Sequence, residues 1–501
     1  MRGFKYAKVE GRMRGLIAHV LVLTLIVFLW LLQLGQPACA QITFERTYGG
    51  PDFDWGYSIQ QTSDGGYVIS GHTKSFGSGG TDVYLVRTDS LGNTLWDSAY
   101  GAASEHNQAY CVQQTVDGGF ITAGSQGWGE DMYLVRVDPS GSELWKRTYG
   151  GIWHDGGRYV QQTSDGGFVA VGWATFFGWD YDVYLVKIDS AGNMLWDELL
   201  GGDRDDYGYS LELTTDGGYI VVGNTHSFIA ESSNVYLAKT DSLGKMIWQK
   251  WYGGSGSDYG TSVQQTQDGG YIVVGHTNSY HSPSADIYLI RTDSLGESIW
   301  QRYYGGQMAD SGWSVLETSD GGFMIAGETE SYGHGSADIW ILKTDMLGNL
   351  LWTRTYGGTW GDHAYCLRQT SDGGYIVAGW TRSFGAGYYD VYVIKTDEDG
   401  NVAVEEQLQS PAIDGNALNL EVYPNPCIGT ASIQYQLPAS GAINLGIYDI
   451  SGRLVHTVVE DQKGAGSYVQ VWETDNLSSG IYFCRLQAGD FTDMKKMILL
   501  R

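Results

Sequence analysis

The triplet Asp-Gly-Gly recurs in one register along the chain, opening at residues 64, 117, 165, 216, 268, 320 and 372, in steps of 48 to 53 residues. A period of that length means one supersecondary unit stacked on copies of itself, because a single unit cannot bury its own apolar face. The stretch TSVQQTQDGGYIVVGHT, from Thr261, is two β-branched apolar runs joined by a polar turn whose glycines accept positive φ, which predicts a hairpin. From Ala285, ADIYLIRTDSLGESIWQRYYGG adds a second strand pair turned by DSLG. No stretch of the unit has the helical period. Seven units of four strands predict an all-β chain with a seven-bladed β-propeller over residues 41–402.

The seventh unit ends in TDEDGNVAVEEQ, where a tryptophan strand is due and absent. Its counterpart stands at the other end of the array: ITFERTYGG, residues 42–50, sets Phe44 four residues before Tyr48, the offset of Trp145 from Tyr149 and of Trp352 from Tyr356. The opening strand is therefore expected to lie beside the run near Val393, completing the last blade and removing an unpaired edge. Tryptophan holds one register at 96, 145, 196, 248, 300 and 352. A buried indole removes up to about 250 Å² from water, so this ring is expected to fill the wedge between blades. The Asp89, Gly92, Trp96 spacing resembles the tryptophan-docking motif of quinoprotein propellers. The resemblance implies the fold, and a quinone cofactor only where a central site for it exists; no vicinal cysteine pair of the kind those enzymes use is present.

Upstream, Arg2, Lys5, Lys8, Arg12 and Arg14 precede the apolar run LIAHVLVLTLIVFLWLLQLG and then Ala38-Cys39-Ala40. This is the pattern of a secretory signal peptide over residues 1–40, with an uncleaved anchor as the alternative. Nothing later is apolar enough to span a membrane. Cys111, Cys366, Cys427 and Cys484 are too sparse for a disulfide scaffold. Cys111 and Cys366 replace a recurring serine and read as small buried thiols, while pairing of Cys427 with Cys484 stays open.

The formal charge is −27, and four repeat registers hold 26 aspartates between them. These are the position six residues after the YGG tyrosine (Asp54 to Asp362), the start of the third strand (Asp82 to Asp390, with Asn234 in the fourth unit), the DGG set and the TD set (Asp89 to Asp397). The acidity is thus mostly turn chemistry, since Asp accepts backbone N–H bonds two residues on. It argues against nucleic acid and anionic membrane surfaces as partners. No cofactor is expected. Calcium is the alternative, because PDFDWG (Asp52, Asp54) and DRDDYG (Asp203, Asp205, Asp206) are oxygen-rich, yet neither completes the D-x-D-x-D-G spacing with its distal glutamate. His106, His154, His226, His276, His281, His334 and His363 are read as loop residues without metal-ligand spacing, and no serine has a nucleophile elbow, so no enzyme is expected.

The least regular segments are the loops before each third strand, among them ATFFGWDY and RSFGAGYY. Phe176, Phe177 and Trp179 in the third unit and Phe384, Tyr388 and Tyr389 in the seventh are the candidate ligand platform, since exposed aromatics beside polar groups suit sugar rings or peptides. The alternative is that they pack under their own loops.

After a linker over residues 403–420, alternating strands with Pro, Gly and Asn turns predict a small immunoglobulin-like β-sandwich over 421–501. YPNP (Tyr423, Pro424, Asn425, Pro426), IYDISGRLV around Gly452, SSGIYF around Gly480 and the terminal KKMILLR with Lys495 and Lys496 closely resemble the C-terminal sorting domain of type IX secretion substrates. That resemblance implies export across both membranes, the secretion machinery as a partner, and release or attachment at the cell surface. The expected protein is a monomeric, exported binding protein for a glycan or a protein. A quinoprotein-like oxidoreductase, a polysaccharide-acting enzyme and a structural surface-layer protein are the alternatives.

Overall fold

The computed structural model describes residues 41–500 except 79, 102–105, 128–130, 152, 176–179, 229–231, 281–283, 403–418, 429, 438–439, 450–452, 465, 474–476, 478–479 and 489–490. Contacts divide the chain into two compact units, 1–405 and 406–501.

The first unit contains seven four-stranded antiparallel sheets in series, a propeller-like arrangement. The first sheet comprises Asp54–Gln61, Tyr67–Thr73, Asp82–Thr88 and Thr94–Tyr100, in that order. The first strands of successive sheets lie side by side, and Asp362–Gln369 of the seventh touches Asp54–Gln61 of the first. Burial follows from this stacking. Second and third strands are covered on both faces, so Tyr67–Thr73 and Asp82–Thr88 are buried at every residue, whereas Thr94–Tyr100 is largely exposed. Close approach of neighbouring sheets requires small residues: a Cβ on Gly56 would lie 2.5 Å from the Gly379 carbonyl oxygen and 2.8 Å from Val391 Cγ1.

Phe44–Tyr48 is the outer strand of the seventh sheet, paired antiparallel from Phe44 opposite Lys395 to Tyr48 opposite Val391. The fragment at the start of the repeats thus supplies the missing fourth strand. The Phe44 ring meets Tyr67 of the first sheet edge-on at 5.9 Å, and the Tyr48 hydroxyl donates to the Gly92 carbonyl at 2.7 Å. Tryptophans do the same elsewhere. Trp96 lies edge-on to Phe120 of the next sheet at 5.9 Å and donates from Nε1 to Pro139 O at 3.2 Å. These rings are half-buried clamps from one sheet's outer strand onto the next sheet's turn, rather than filling in a deep wedge.

Each sheet also carries an ion pair that turn chemistry alone does not foresee. A cation near the end of the third strand (Arg87, Arg136, Lys187, Lys239, Arg291, Lys343, Lys395) reaches the DGG aspartate of the same sheet. The cationic side chains are 1–8% exposed and their carboxylates mostly face water. The TD aspartates behave as turn formers: Asp89 Oδ1 accepts from the Leu91 and Asn93 amides, each at 2.9 Å.

In the second unit seven strands share one hydrogen-bonded sheet, in the order Leu454–Lys463, Gly441–Asp449, Gly480–Ala488, Phe491–Leu500, Asn419–Ile428, Thr430–Leu437, Gly466–Glu473. Asn419–Ile428 pairs through Asn419–Tyr423 and Ile428 with Thr430–Leu437, and through Cys427 and Ile428 with the last strand.

Candidate functional site

Every first strand carries a β-bulge at the same place. Pairing skips one residue after Gly56, Ala109, Gly157, Gly208, Gly260, Gly312 and Ala364. A bulge leaves its extra residue outside the ladder and re-aims that side chain. The re-aimed residues are Tyr57, Tyr110, Arg158, Tyr209, Thr261, Trp313 and Tyr365, and all seven line one cavity of about 520 Å³. A second ring stands in the second strands, at His72, Ser125, Trp173, Asn224, His276, Glu328 and Trp380. Each pairs with the residue two before its bulge, for instance Trp55 with His72 and His363 with Trp380. The sheets differ from one another at these registers, as they also do at the residue two before each bulge and along the outer strands.

Aromatic contacts run continuously from the surface into the cavity. Tyr388, 64% exposed, stacks on Phe53 at 5.1 Å and 9°. Phe53 stacks on Trp55 at 5.4 Å, and Trp55 lies 4.4 Å from His72. His72 then stacks on Tyr57 at 5.3 Å, and Tyr57 meets Tyr365 at 4.8 Å and Tyr110 at 5.1 Å. Arg158 lies over the Tyr110 ring at 3.9 Å and the Trp173 ring at 4.8 Å. Burial pushes the His276 imidazole down to about 4 and the His72 imidazole to about 3, so both are neutral at pH 7. Arg158 Nε, His276 Nδ1 and Trp313 Nε1 are buried without a hydrogen-bond partner among the described residues. At the rim Glu328 Oε2 contacts His363 Nδ1, and the His363 ring stacks on Trp380 at 4.0 Å.

Towards the other end of the first strands, glutamines fasten one sheet to the next. Gln60 accepts from the Gln114 amide at 2.6 Å, Gln113 from Gln162 at 2.6 Å, Gln161 from Leu213 at 3.1 Å and Gln264 from Glu317 at 2.6 Å. Glu212 occupies the same register and accepts from the Gln265 amide. Burial raises its carboxyl to about 7, above the ordinary 4.5. Ionisation therefore opposes folding as pH rises from 4.5 through 7. Glu212→Gln, the residue of the neighbouring sheets, is expected to add about 1–2 kcal/mol at pH 8 and nothing below pH 4, read from urea unfolding at both pH values.

Of the aromatics expected to form the platform, Tyr388 and Tyr389 join the ladder, with Tyr389 5.6 Å from Trp55 and edge-on to Trp380 at 4.8 Å. Phe384 instead packs against Tyr392 at 5.6 Å, beneath its own loop. Phe176, Phe177 and Trp179 lie outside the described residues. The loop reading of the histidines is corrected at two positions: His276 lies in the strand Tyr271–Thr277 on the cavity wall, and His363 in Asp362–Gln369 at the rim. Asp54 and Asp206, from the oxygen-rich loops, are buried, and each accepts from a loop amide (Gly50 at 2.8 Å, Gly202 at 2.7 Å) and a serine hydroxyl. Among the described residues no three His, Cys, Asp or Glu side chains gather to hold a metal ion. In the tail, Tyr423, Pro424, Asn425 and Pro426 lie in the strand Asn419–Ile428, Gly480 opens Gly480–Ala488, and Lys495 and Lys496 are exposed in the last strand. Gly452 lies outside the described residues.

Seven four-stranded sheets around a side-chain-lined cavity define a propeller-like repeat protein. Residues 421–500 match the family model for a secretion system C-terminal sorting domain. The C-terminal unit is a type IX sorting tail, and the protein is accordingly secreted or held at the outer-membrane surface. The regulatory protein FlaEY of Caulobacter vibrioides is 27% identical over 164 residues, covering 28% of this chain and 17% of that relative's length. Among solved structures, puromycin hydrolase is similar at 14% identity and a TM-score of 0.45, covering 76% of this chain and 58% of that one. Synechocystis apocarotenoid oxygenase aligns at 9% identity and 0.38, over 85% and 98%. A family 43 β-1,3-galactosidase aligns at 9% identity and 0.30, over 72% and 96%.

Proposed function

We propose that residues 41–402 form a closed seven-bladed β-propeller that acts outside the cell as a monomeric binding protein, taking a glycan or protein ligand into its central funnel. Residues 421–501 are then an immunoglobulin-like β-sandwich that carries the sorting signal. Support for the sandwich comes from one shared core, in which Ile433, Tyr435 and Trp472 from one end of the sheet order meet Leu445, Ile447 and Leu486 from the other.

The observation that carries the binding reading is where the repeats disagree. Core positions that hold the sheets together recur from unit to unit, while the positions that vary at the first-strand bulges converge on one cavity with an aromatic approach. A purely structural surface-layer role gives no reason for that convergence. Glycan and peptide arrays probed with the exported chain are expected to return ligands whose signal falls at least tenfold in Tyr57→Ala or Trp313→Ala; self-association with silent arrays would favour the surface-layer role. Deleting residues 421–501 is expected to leave the protein inside the outer membrane, measured by fractionation. An enzymatic reading, whether a polysaccharide-acting enzyme or a quinoprotein-like oxidoreductase, would start from the Glu328–His363 contact at the rim. Turnover of a bound glycan that Glu328→Gln abolishes would establish the first, and quinone absorbance after incubation with the cofactor the second.

A further inference from the structure

We infer that the funnel ligand is an acidic sugar and that Arg158 receives its carboxylate, an inference that rests on the binding reading above. Six of the seven bulge positions hold neutral residues, and the third sheet alone places a cation there. Its guanidinium is sandwiched by aromatic faces, 3.9 Å from Tyr110, 4.8 Å from Trp173 and 5.8 Å from Tyr209, and has no carboxylate partner among the described residues. Aromatic stacking fixes the plane of a guanidinium while leaving its N–H edge free for a planar oxyanion. Arg158 Nε is buried and unsatisfied, which costs free energy until an acceptor arrives. The second cation on the cavity wall, Arg368, is differently placed: it donates to the Leu367 carbonyl at 2.8 Å and lies within electrostatic reach of Glu212.

The wall favours a sugar over a peptide. A peptide would add to the free edge of an inner strand through backbone hydrogen bonds. Several of those amides are already engaged: Val112 donates to Ser58 Oγ at 3.2 Å, Leu367 to Ser314 Oγ at 3.1 Å, and Gln114 to Gln60. What remains are aromatic faces, which stack on pyranose rings, and isolated polar atoms such as Trp313 Nε1 and His276 Nδ1, which suit hydroxyl groups. A net charge of −27 repels an acidic ligand at a distance, and Glu328, in contact with His363, adds to this at the rim. Salt screens that long-range repulsion more than it weakens a contact inside the cavity, so affinity should rise as salt increases from 10 to 150 mM.

The test is calorimetric titration of the exported full chain with oligomers of galacturonate, glucuronate, mannuronate and guluronate. Each is compared with its methyl ester, which keeps the ring and removes the charge. At least one acid is expected to bind tenfold or more tightly than its own ester. Arg158→Gln should erase that preference while retaining ester binding, and Arg158→Lys should restore part of it. The comparison of acid with ester in the unsubstituted protein stands even where a variant fails to fold. Equal binding of acid and ester, binding of neutral oligosaccharides alone, or an acid preference that Arg158→Gln leaves intact overturns the carboxylate assignment and leaves the binding reading standing. Binding of a peptide through its free C-terminal carboxylate, lost on amidation and with every sugar silent, overturns the sugar. Silence of all sugars and peptides overturns both readings.

Discussion

Truncating Phe44 to alanine is expected to lower the stability of the repeat unit by about 3–5 kcal/mol, and removing residues 41–48 to abolish its cooperative unfolding. Phe44 is 2% exposed, and its ring bridges the seventh sheet to Tyr67 of the first. Glu45 accepts from the Tyr392 hydroxyl at 2.8 Å, and five residue pairs bind the strand to Val391–Lys395. Losing the strand exposes a sheet edge and uncovers apolar surface on both sides of the junction. Trp352→Ala, at the equivalent register of the sixth sheet, removes a half-exposed ring and should cost about half as much. Tyr48→Phe should cost about 1 kcal/mol for the lost bond to Gly92. Urea unfolding followed by tryptophan fluorescence reads all three, and a Phe44→Ala cost below that of Trp352→Ala would mean that the junction does not hold the array together.

Acidification is expected to unfold the same unit between about pH 4 and pH 2, with uptake of several protons. The carboxyl groups of Asp165 and Asp216 are held down to about 2, first by hydrogen bonds from Thr163 and Thr214 and then by Lys187 and Lys239 and the following turn amides. Their ordinary value is 3.8, so in this interval the unfolded chain binds more protons and stability falls as pH falls. Nearer neutrality the opposing effects offset one another. Asp182, pushed up to about 6 by burial and by Asp206, and Glu212 favour lower pH, while the neutral His72 and His276 favour higher pH. Asp216→Asn should cost about 2 kcal/mol at pH 7, because Lys239, only 4% exposed, loses its anion, with the cost moderated by the carboxylate's contact with water. Adding Lys239→Met should recover most of that loss. A double mutant no more stable than Asp216→Asn would show that the lysine is held by its bond to the Thr240 carbonyl instead.

The propeller-like array was legible because its signals are local. DGG turns, the tryptophan register and the Phe44–Tyr48 offset each report a contact made in the same way in sheet after sheet. The funnel was harder to see. A bulge breaks the two-residue alternation by which a strand's faces are read, so Tyr57 and Ser58 do not fall on the sides that alternation assigns. The irregular loops are the more conspicuous departure from the repeat, and of their aromatics Tyr388 and Tyr389 join the approach while Phe384 is packing. The available signal was contrast within the repeat: the residue three after the Asp or Asn that opens each first-strand segment reads Tyr, Tyr, Arg, Tyr, Thr, Trp, Tyr, between neighbours that are small in every unit but for Tyr159 in the third.

That contrast has an evolutionary side. Since the residue at each bulge takes no part in the ladder and meets its counterparts in neighbouring sheets only across the cavity, exchanging it would alter the chemistry of the cavity while leaving the ladder intact. Duplication of a single unit would have supplied seven such interchangeable seats at once, letting selectivity drift independently of the frame that bears it.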